Sequence, residues 1–234
     1  METVKILVIA LDGLEHDLVV KFKLRNLMQV EYGKTNLSLI KKHSRYPCTV
    51  DIWSTFLAGR FKHKINSPSE TFLKYFKSYC VIGLPGFMKG LSRQHRKLVD
   101  NLAKVLEHKL SYAEYEKMVK IDALRRMFST FRAFKLSPEI LITYFPIADL
   151  LGHLYFDREE KMREIYRFID RVVSKIKLNT TVLIISDHGM VPWYGKKKGE
   201  HSWHGFWSTN RKLGLNNPKI EDFYKFFSKF KNKK

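Results

Sequence analysis

Seven residues scattered along this chain have the right types to bind two divalent cations around a phosphoester: Asp12, Thr49, Asp149, His153, Asp187, His188 and His201. The acids share a context. An apolar run at residues 5–11 precedes Asp12, one at 140–145 precedes Asp149, and one at 182–186 precedes Asp187 and His188. An apolar run closed by an acid puts the carboxylate where a strand leaves a buried sheet, the usual place for ligand groups in open α/β folds. One such acid carries little weight. Three of them, joined by histidines at local spacing, define a candidate site.

Each motif has its own logic and its own bland reading. Asp187 and His188 leave a buried strand together and can share one ion, with Gly189 letting the backbone turn. Taken alone, such a pair is more often a plain turn with no metal. Asp149 and His153 stand four apart, which on a helix puts both on one face. Gly152 would then keep the approach open. Thr49, read as the N-cap of a helix over residues 50–58, sits where backbone N–H groups and the helix dipole favour an alkoxide or a phosphate. Its neighbour Cys48 is an alternative nucleophile, but without an adjacent His or second Cys it reads as a small buried hydrophobe. His201 and His204 are rival third histidines. His16, His43, His63, His95 and His108 have no acidic or histidine partner at ligand spacing and read as ordinary surface or helix residues.

The elements that must carry these groups alternate. Strands are expected at residues 4–11, 79–84, 140–145 and 180–186, and helices at 15–28, 50–58 and 158–177. Residues 92–134 are helical in pattern with a break near Ser111, and 88–135 could form an insertion or cap over the site. Pro85 and Gly86 stop the strand expected over 79–84. The expected fold is α/β, a three-layer α/β/α sandwich on a mostly parallel central sheet, in one domain over residues 1–234.

Composition sets the outer limits. With 44% hydrophobic and 14% aromatic residues the chain is globular and not disordered. Lys plus Arg number 43 against 23 Asp plus Glu, a formal charge of +20 that attracts nucleotides, nucleic acid or anionic lipid. The lysines cluster at 196–198 and along an expected amphipathic tail helix, where Lys225, Lys229, Lys231, Lys233 and Lys234 alternate with Phe223, Phe226, Phe227 and Phe230. Two cysteines, Cys48 and Cys80, provide neither a disulfide framework nor a thiolate zinc site, so a reducing, cytoplasmic setting is expected. The apolar start runs straight into Asp12-Gly13 without a cleavage site and reads as a first strand rather than a leader. No run is long enough to span a bilayer.

The order of the motifs says more than any one of them. A first-strand aspartate, a threonine opening a Trp-containing helix (residues 47–59), Asp-x-x-x-His, Asp-His-Gly and a late histidine together resemble the alkaline phosphatase superfamily. Within it, the chain looks most like the type I phosphodiesterase/nucleotide pyrophosphatase branch; Val81 to Pro85 is similar to a strand-and-proline element of that branch. The resemblance implies two metals, zinc first, with manganese or iron as alternatives. Asp12, Thr49, Asp187 and His188 would hold one, and Asp149, His153 and His201 the other. It further implies cleavage of a phosphodiester or phosphoanhydride in a nucleotide-like substrate through a phospho-threonine at Thr49. The Glu-His-x-x-x-Gly spacing favours His201 over His204. Val50-Asp51 departs from the proline that follows the threonine in related segments, and Asp51 would either weaken phosphate binding or point away. Cys48 to Ile52 lacks the Pro and Arg of a sulfatase, which disfavours sulfate-ester hydrolysis. Two rivals remain: a phosphomonoesterase or phosphonate hydrolase of the same superfamily, and a basic nucleic-acid-binding protein on an inactive scaffold.

Overall fold

The computed structural model describes residues 4–88, 90–176 and 179–230. In chain order the strands are β1 (Ile6–Leu11), β2 (Glu31–Asn36), β3 (Tyr79–Ile82), β4 (Ile140–Phe145), β5 (Thr181–Ile185), β6 (Met190–Pro192), β7 (Gly199–His201) and β8 (His204–Thr209). The α-helices are α1 (His16–Lys21), α2 (Ser38–His43), α3 (Thr49–Ala58), α4 (Arg93–Leu106), α5 (Tyr112–Phe134), α6 (Ile147–Tyr155), α7 (Glu159–Ile176) and α8 (Phe223–Ser228).

Why β1 is apolar throughout follows from its place. It lies inside a six-stranded sheet of order β2-β8-β5-β1-β4-β3, parallel to both β4 and β5. Leu7, Ile9 and Leu11 pack into a core with Val19 of α1, Leu102 of α4, Val119 of α5, Leu151 of α6 and Ile169 of α7. Ile6, Val8 and Ala10 point the other way, against Ile40 of α2, Ile52, Trp53 and Phe56 of α3, and Phe223 and Phe227 of α8. Both faces are dry, so the run cannot alternate with polar residues. The result is the expected α/β/α sandwich, mostly parallel, with β8 antiparallel to β5 and β2 antiparallel to β8.

Several expectations needed correction. The helix expected over 15–28 stops at Lys21, because Lys23 adopts φ +53° and the chain turns to bring Leu24 and Leu27 into the core. Strands β2 and β8 were not anticipated: β2, at the sheet edge, reads Glu-Tyr-Gly-Lys-Thr-Asn, with no apolar run to mark it. The N-cap of α3 is Cys48, and Thr49 is its first helical residue; Gly59 ends the helix at φ +69°, as its position foretold. The tail helix is short, and Phe227 is buried with its ring stacked 4.0 Å from Phe72, so the tail is core and not a surface device. Lys231, Lys233 and Lys234 of that tail, and Lys177 of the helix expected over 158–177, lie outside the described residues.

The 92–134 stretch divides where expected. Ser92 caps α4 and Ser111 forms a capping box with Glu114 at the start of α5. α5 packs on β3 and β4, while α4 lies against α5 and α6. A buried pair anchors this layer: Arg126 donates to Asp122 (2.6 Å) and to the Tyr144 carbonyl (3.0 Å). No helix among the described residues is long and apolar enough to cross a membrane.

Candidate metal centre

Parallel strands deliver their acids to one edge. Asp12 follows β1 and Asp187 follows β5, both strands running the same way, so their carboxylates emerge side by side. Asp149 comes from the first turn of α6, directly after β4. Gly13 makes their meeting possible: its φ is +68°, and a Cβ there would lie 2.7 Å from the Asp149 Cα. The Asp149 N–H donates to the Asp12 carbonyl at 2.9 Å, which locks the two loop starts together.

All seven sequence-derived residues arrive in one place. His188 Nε2 lies 3.2 Å from Asp12 Oδ1, 3.5 Å from Asp187 Oδ2 and 3.5 Å from the Thr49 hydroxyl. His153 Nε2 and His201 Nε2 each lie 3.2 Å from Asp149 Oδ1 and 3.4 Å from one another. Among the described residues two groups could each hold an ion, Asp12/Asp149/His188 and Asp149/His153/His201, with ligand atoms within 4.8 Å of one another in each. Asp149 belongs to both, which differs from the simple partition into two private ligand sets. Thr49 stands at their side on the first turn of α3, where the free N–H groups of a ten-residue helix favour negative charge.

The hydrogen bonds around the cluster show what its atoms face. Each imidazole spends Nδ1–H on a carbonyl: His153 on Gly199 (2.8 Å), His188 on Gly189 (2.9 Å), His201 on Pro47 (2.8 Å). That fixes the rings and turns every Nε2 inward. Asp12 Oδ1, Asp149 Oδ1 and Asp187 Oδ2 are buried without a hydrogen-bond partner, although Nε2 atoms lie close by. The nitrogens sit at ion-pair distance but off the line of a hydrogen bond, aimed with the carboxylates at shared points. Unpaired buried carboxylate oxygens are costly unless a cation meets them. The donor set, oxygen and imidazole nitrogen without thiolate, fits a divalent ion. The other carboxylate oxygens are held: Tyr144 OH donates to Asp12 Oδ2, and Gly13 N–H to Asp187 Oδ1 at 3.3 Å.

Charge crowding shows in the titrations. Burial, then the neighbouring charges of Asp12 and Asp149, holds the Asp187 carboxyl well above its usual range. Burial works against Asp149 too, but the His153 and His201 imidazoles hold it well below. His188 and His201 are raised despite burial, by Asp12 and Asp149 respectively. Protons thus gather where positive charge is wanted.

Other details extend the sequence reading or correct it. His204 faces away, its Nε2 3.1 Å from Glu15 Oε1. Asp51 neither enters the cleft nor reaches solvent; Ser44 Oγ (3.0 Å) and His63 Nδ1 (3.1 Å) hold it. Gly152 does not open a path to the ions, because a Cβ there would run into the Met190 sulfur; it lets α6 pack on β6. His95, read as an ordinary helix residue, is buried and lines the cleft. Nothing in the sequence marks it, since its neighbours there come from distant elements.

The sequence profile of the type I phosphodiesterase / nucleotide pyrophosphatase family matches residues 94–209. Among solved structures, the TAB5 alkaline phosphatase, a mutant with magnesium bound, shares 10% identity at TM-score 0.56, with 98% of each chain covered. The chain shares the alkaline phosphatase fold. More distant likenesses include murine ectonucleotide pyrophosphatase / phosphodiesterase 5 (14% identity, TM-score 0.45, 80% of this chain). Another is phosphonoacetate hydrolase from Sinorhizobium meliloti in complex with phosphonoacetate (14% identity, TM-score 0.47, 83% of this chain). The chain spans 58% of the length of each of these two. No curated protein matches the chain.

Proposed function

We propose that this chain is a member of the alkaline phosphatase superfamily and a two-metal-dependent hydrolase of phosphodiester or phosphoanhydride bonds in a nucleotide-like substrate, with Thr49 as nucleophile. One observation carries the reading: three buried carboxylate oxygens without partners converge with three inward-turned imidazole nitrogens beside a threonine hydroxyl at a helix start. Asp12, Asp187, His188 and Thr49 would hold one ion, Asp149, His153 and His201 the other, with Asp149 a member of both candidate groups. Zinc is the first choice, manganese or iron the alternatives. When bound, the metals would supply the Lewis acidity that acidifies the Thr49 hydroxyl and neutralises phosphoryl charge.

The residues then divide the work. Thr49 Oγ gives up its proton to solvent and attacks phosphorus, and the ester oxygen opposite departs, leaving phospho-threonine. Water then attacks phosphorus, Thr49 Oγ leaves and regains a proton, and the phosphorylated product is released. The first turn of α3 stabilises the charge that builds at this oxygen. Lys197 on the cleft wall attracts the anionic substrate, in line with the +20 charge. The single-domain reading, with α4 as a cap on the cleft, and a cytoplasmic setting suited to the free Cys48 and Cys80 belong to the same proposal.

One observation favours a narrower second reading. Apart from His95, the α4 side of the cleft is aliphatic, with Leu91, Val99, Leu102 and Leu106, and among the described residues no Phe, Tyr or Trp lines it to stack a base. A monoester or phosphonate with a compact leaving group suits that wall. Purified protein assayed on bis-p-nitrophenyl phosphate and p-nitrophenyl phosphate, with zinc, manganese or a chelator, tests both readings. Diester turnover that chelation abolishes supports the first; a faster monoester reaction selects the second. Metal-independent turnover overturns both.

A further inference from the structure

Apart from the seven residues above, the polar side chains lining the cleft of about 380 Å³ are Cys48, His95 and Lys197. His95 is the anomaly among them. It sits in the first turn of α4 and is only 3% exposed, with its ring 5.6 Å from that of Tyr144, the residue that bonds Asp12. Its Nδ1 is buried without a partner, and neither ring nitrogen bonds a described residue. It belongs to neither group that could hold an ion. Folding has therefore buried an imidazole whose nitrogens the fold itself does not use.

A tetrahedral phosphoryl group held against the metal cluster has non-bridging oxygens that the ions cannot all reach. An oxygen turned toward α4 would meet the wall on which His95 is the fixed polar group; Lys197, on its flexible stem, offers charge without direction. We propose that His95 contacts the substrate, donating a ring N–H to a non-bridging phosphoryl oxygen turned away from the metals. This rests on the phosphoester-hydrolase reading. Burial holds the imidazole below its ordinary range despite the nearby acids, so the ring is neutral and offers one donor, and the role requires no change of charge. A donor fixed before substrate arrives costs no reorganisation when charge builds on the phosphoryl oxygens.

His95→Phe keeps the ring volume against Tyr144 and removes both nitrogens; His95→Asn and His95→Gln restore an amide donor near the Nδ1 and Nε2 positions. In the metal-loaded protein, His95→Phe is expected to lower kcat/KM on bis-p-nitrophenyl phosphate roughly 10- to 100-fold and to weaken inhibition by inorganic phosphate in step, with metal content and Tm maintained. One of the two amide variants should recover part of both, and which one identifies the donating nitrogen. Unchanged kcat/KM and phosphate inhibition in His95→Phe overturns the inference while the hydrolase reading stands. So does a loss shared equally by all three variants together with lost metal, which would mark His95 as structural. A wild-type protein inert with every divalent ion removes the hydrolase reading and this inference together.

Discussion

His188 and His201 stack face to face, ring centroids 3.7 Å apart and planes 18° from parallel, although one follows β5 and the other ends β7. Two imidazolium rings at this distance repel, and His188 works to lower the His201 pKa. Yet Asp12 and Asp149 raise both. With both rings neutral that repulsion disappears, and a cation held between the carboxylates would supply the positive charge instead.

Metal binding should therefore displace protons. Asp187, His188 and His201 all have raised values in the metal-free protein, so each folded group binds a proton where the unfolded one does not. Their stabilising contribution is complete below the unfolded values, near 4 for the carboxyl and 6.5 for imidazole, and is lost as pH rises through the folded ones. Asp149 has the opposite sign, but stays ionised across the range from pH 5 to 8. The Tm gain on adding zinc or manganese should grow from pH 5.5 to 8. A gain that shrinks with rising pH contradicts the ligand assignment.

Saturating metal should also stabilise the fold, by about 2.7 kcal/mol at a hundred times Kd. Thermal melts with and without a chelator measure it. The candidate ligands come from α6, β7 and the ends of β1 and β5, so an ion held by them would tie separate elements together, and an unchanged Tm would argue against binding here.

Thr49→Ala removes the proposed nucleophile oxygen at the edge of the cluster. Turnover of the diester should fall at least about a thousandfold, while Asp149, His153 and His201 still bind an ion measurable by elemental analysis. Full activity in this variant would eliminate the phospho-threonine.

Asp149 is common to both ligand groups, so Asp149→Asn should lower bound metal at both positions. His153→Gln, by contrast, should empty one. Metal-to-protein ratios of the two purified variants separate a shared ligand from a private one; equal losses would refute the sharing.

Gly13→Ala places a Cβ against the Asp149 backbone at a residue with φ +68°. The backbone strain alone costs about 1–3 kcal/mol, and relief must push β1 away from α6. Both Tm and metal affinity should drop. A destabilised protein that retains wild-type metal affinity would show that the Gly13 contact does not position the acids.

Much of this was legible in the chain. Apolar runs closed by Asp12 and Asp187 located strands β1 and β5, because a strand buried on both faces must be continuously apolar and its exit is the first place a carboxylate can be tolerated. Local spacing gave Asp149 with His153. Ser92, Ser111 and Gly59 marked helix ends through local hydrogen bonding and φ, which need no distant partner.

What the sequence left open depended on contacts between residues far apart in the chain. Edge strand β2 is held by its pairing with β8 and not by its own composition. The choice of His201 over His204 was decided by Glu15 and Pro47, which occupy the two rings' other atoms. His95 and the sharing of Asp149 emerged only in three dimensions, because burial without a partner and distance to a second ligand group are properties of the packed molecule. Local patterns determined which residues could act; the sheet register and helix packing determined which of them meet.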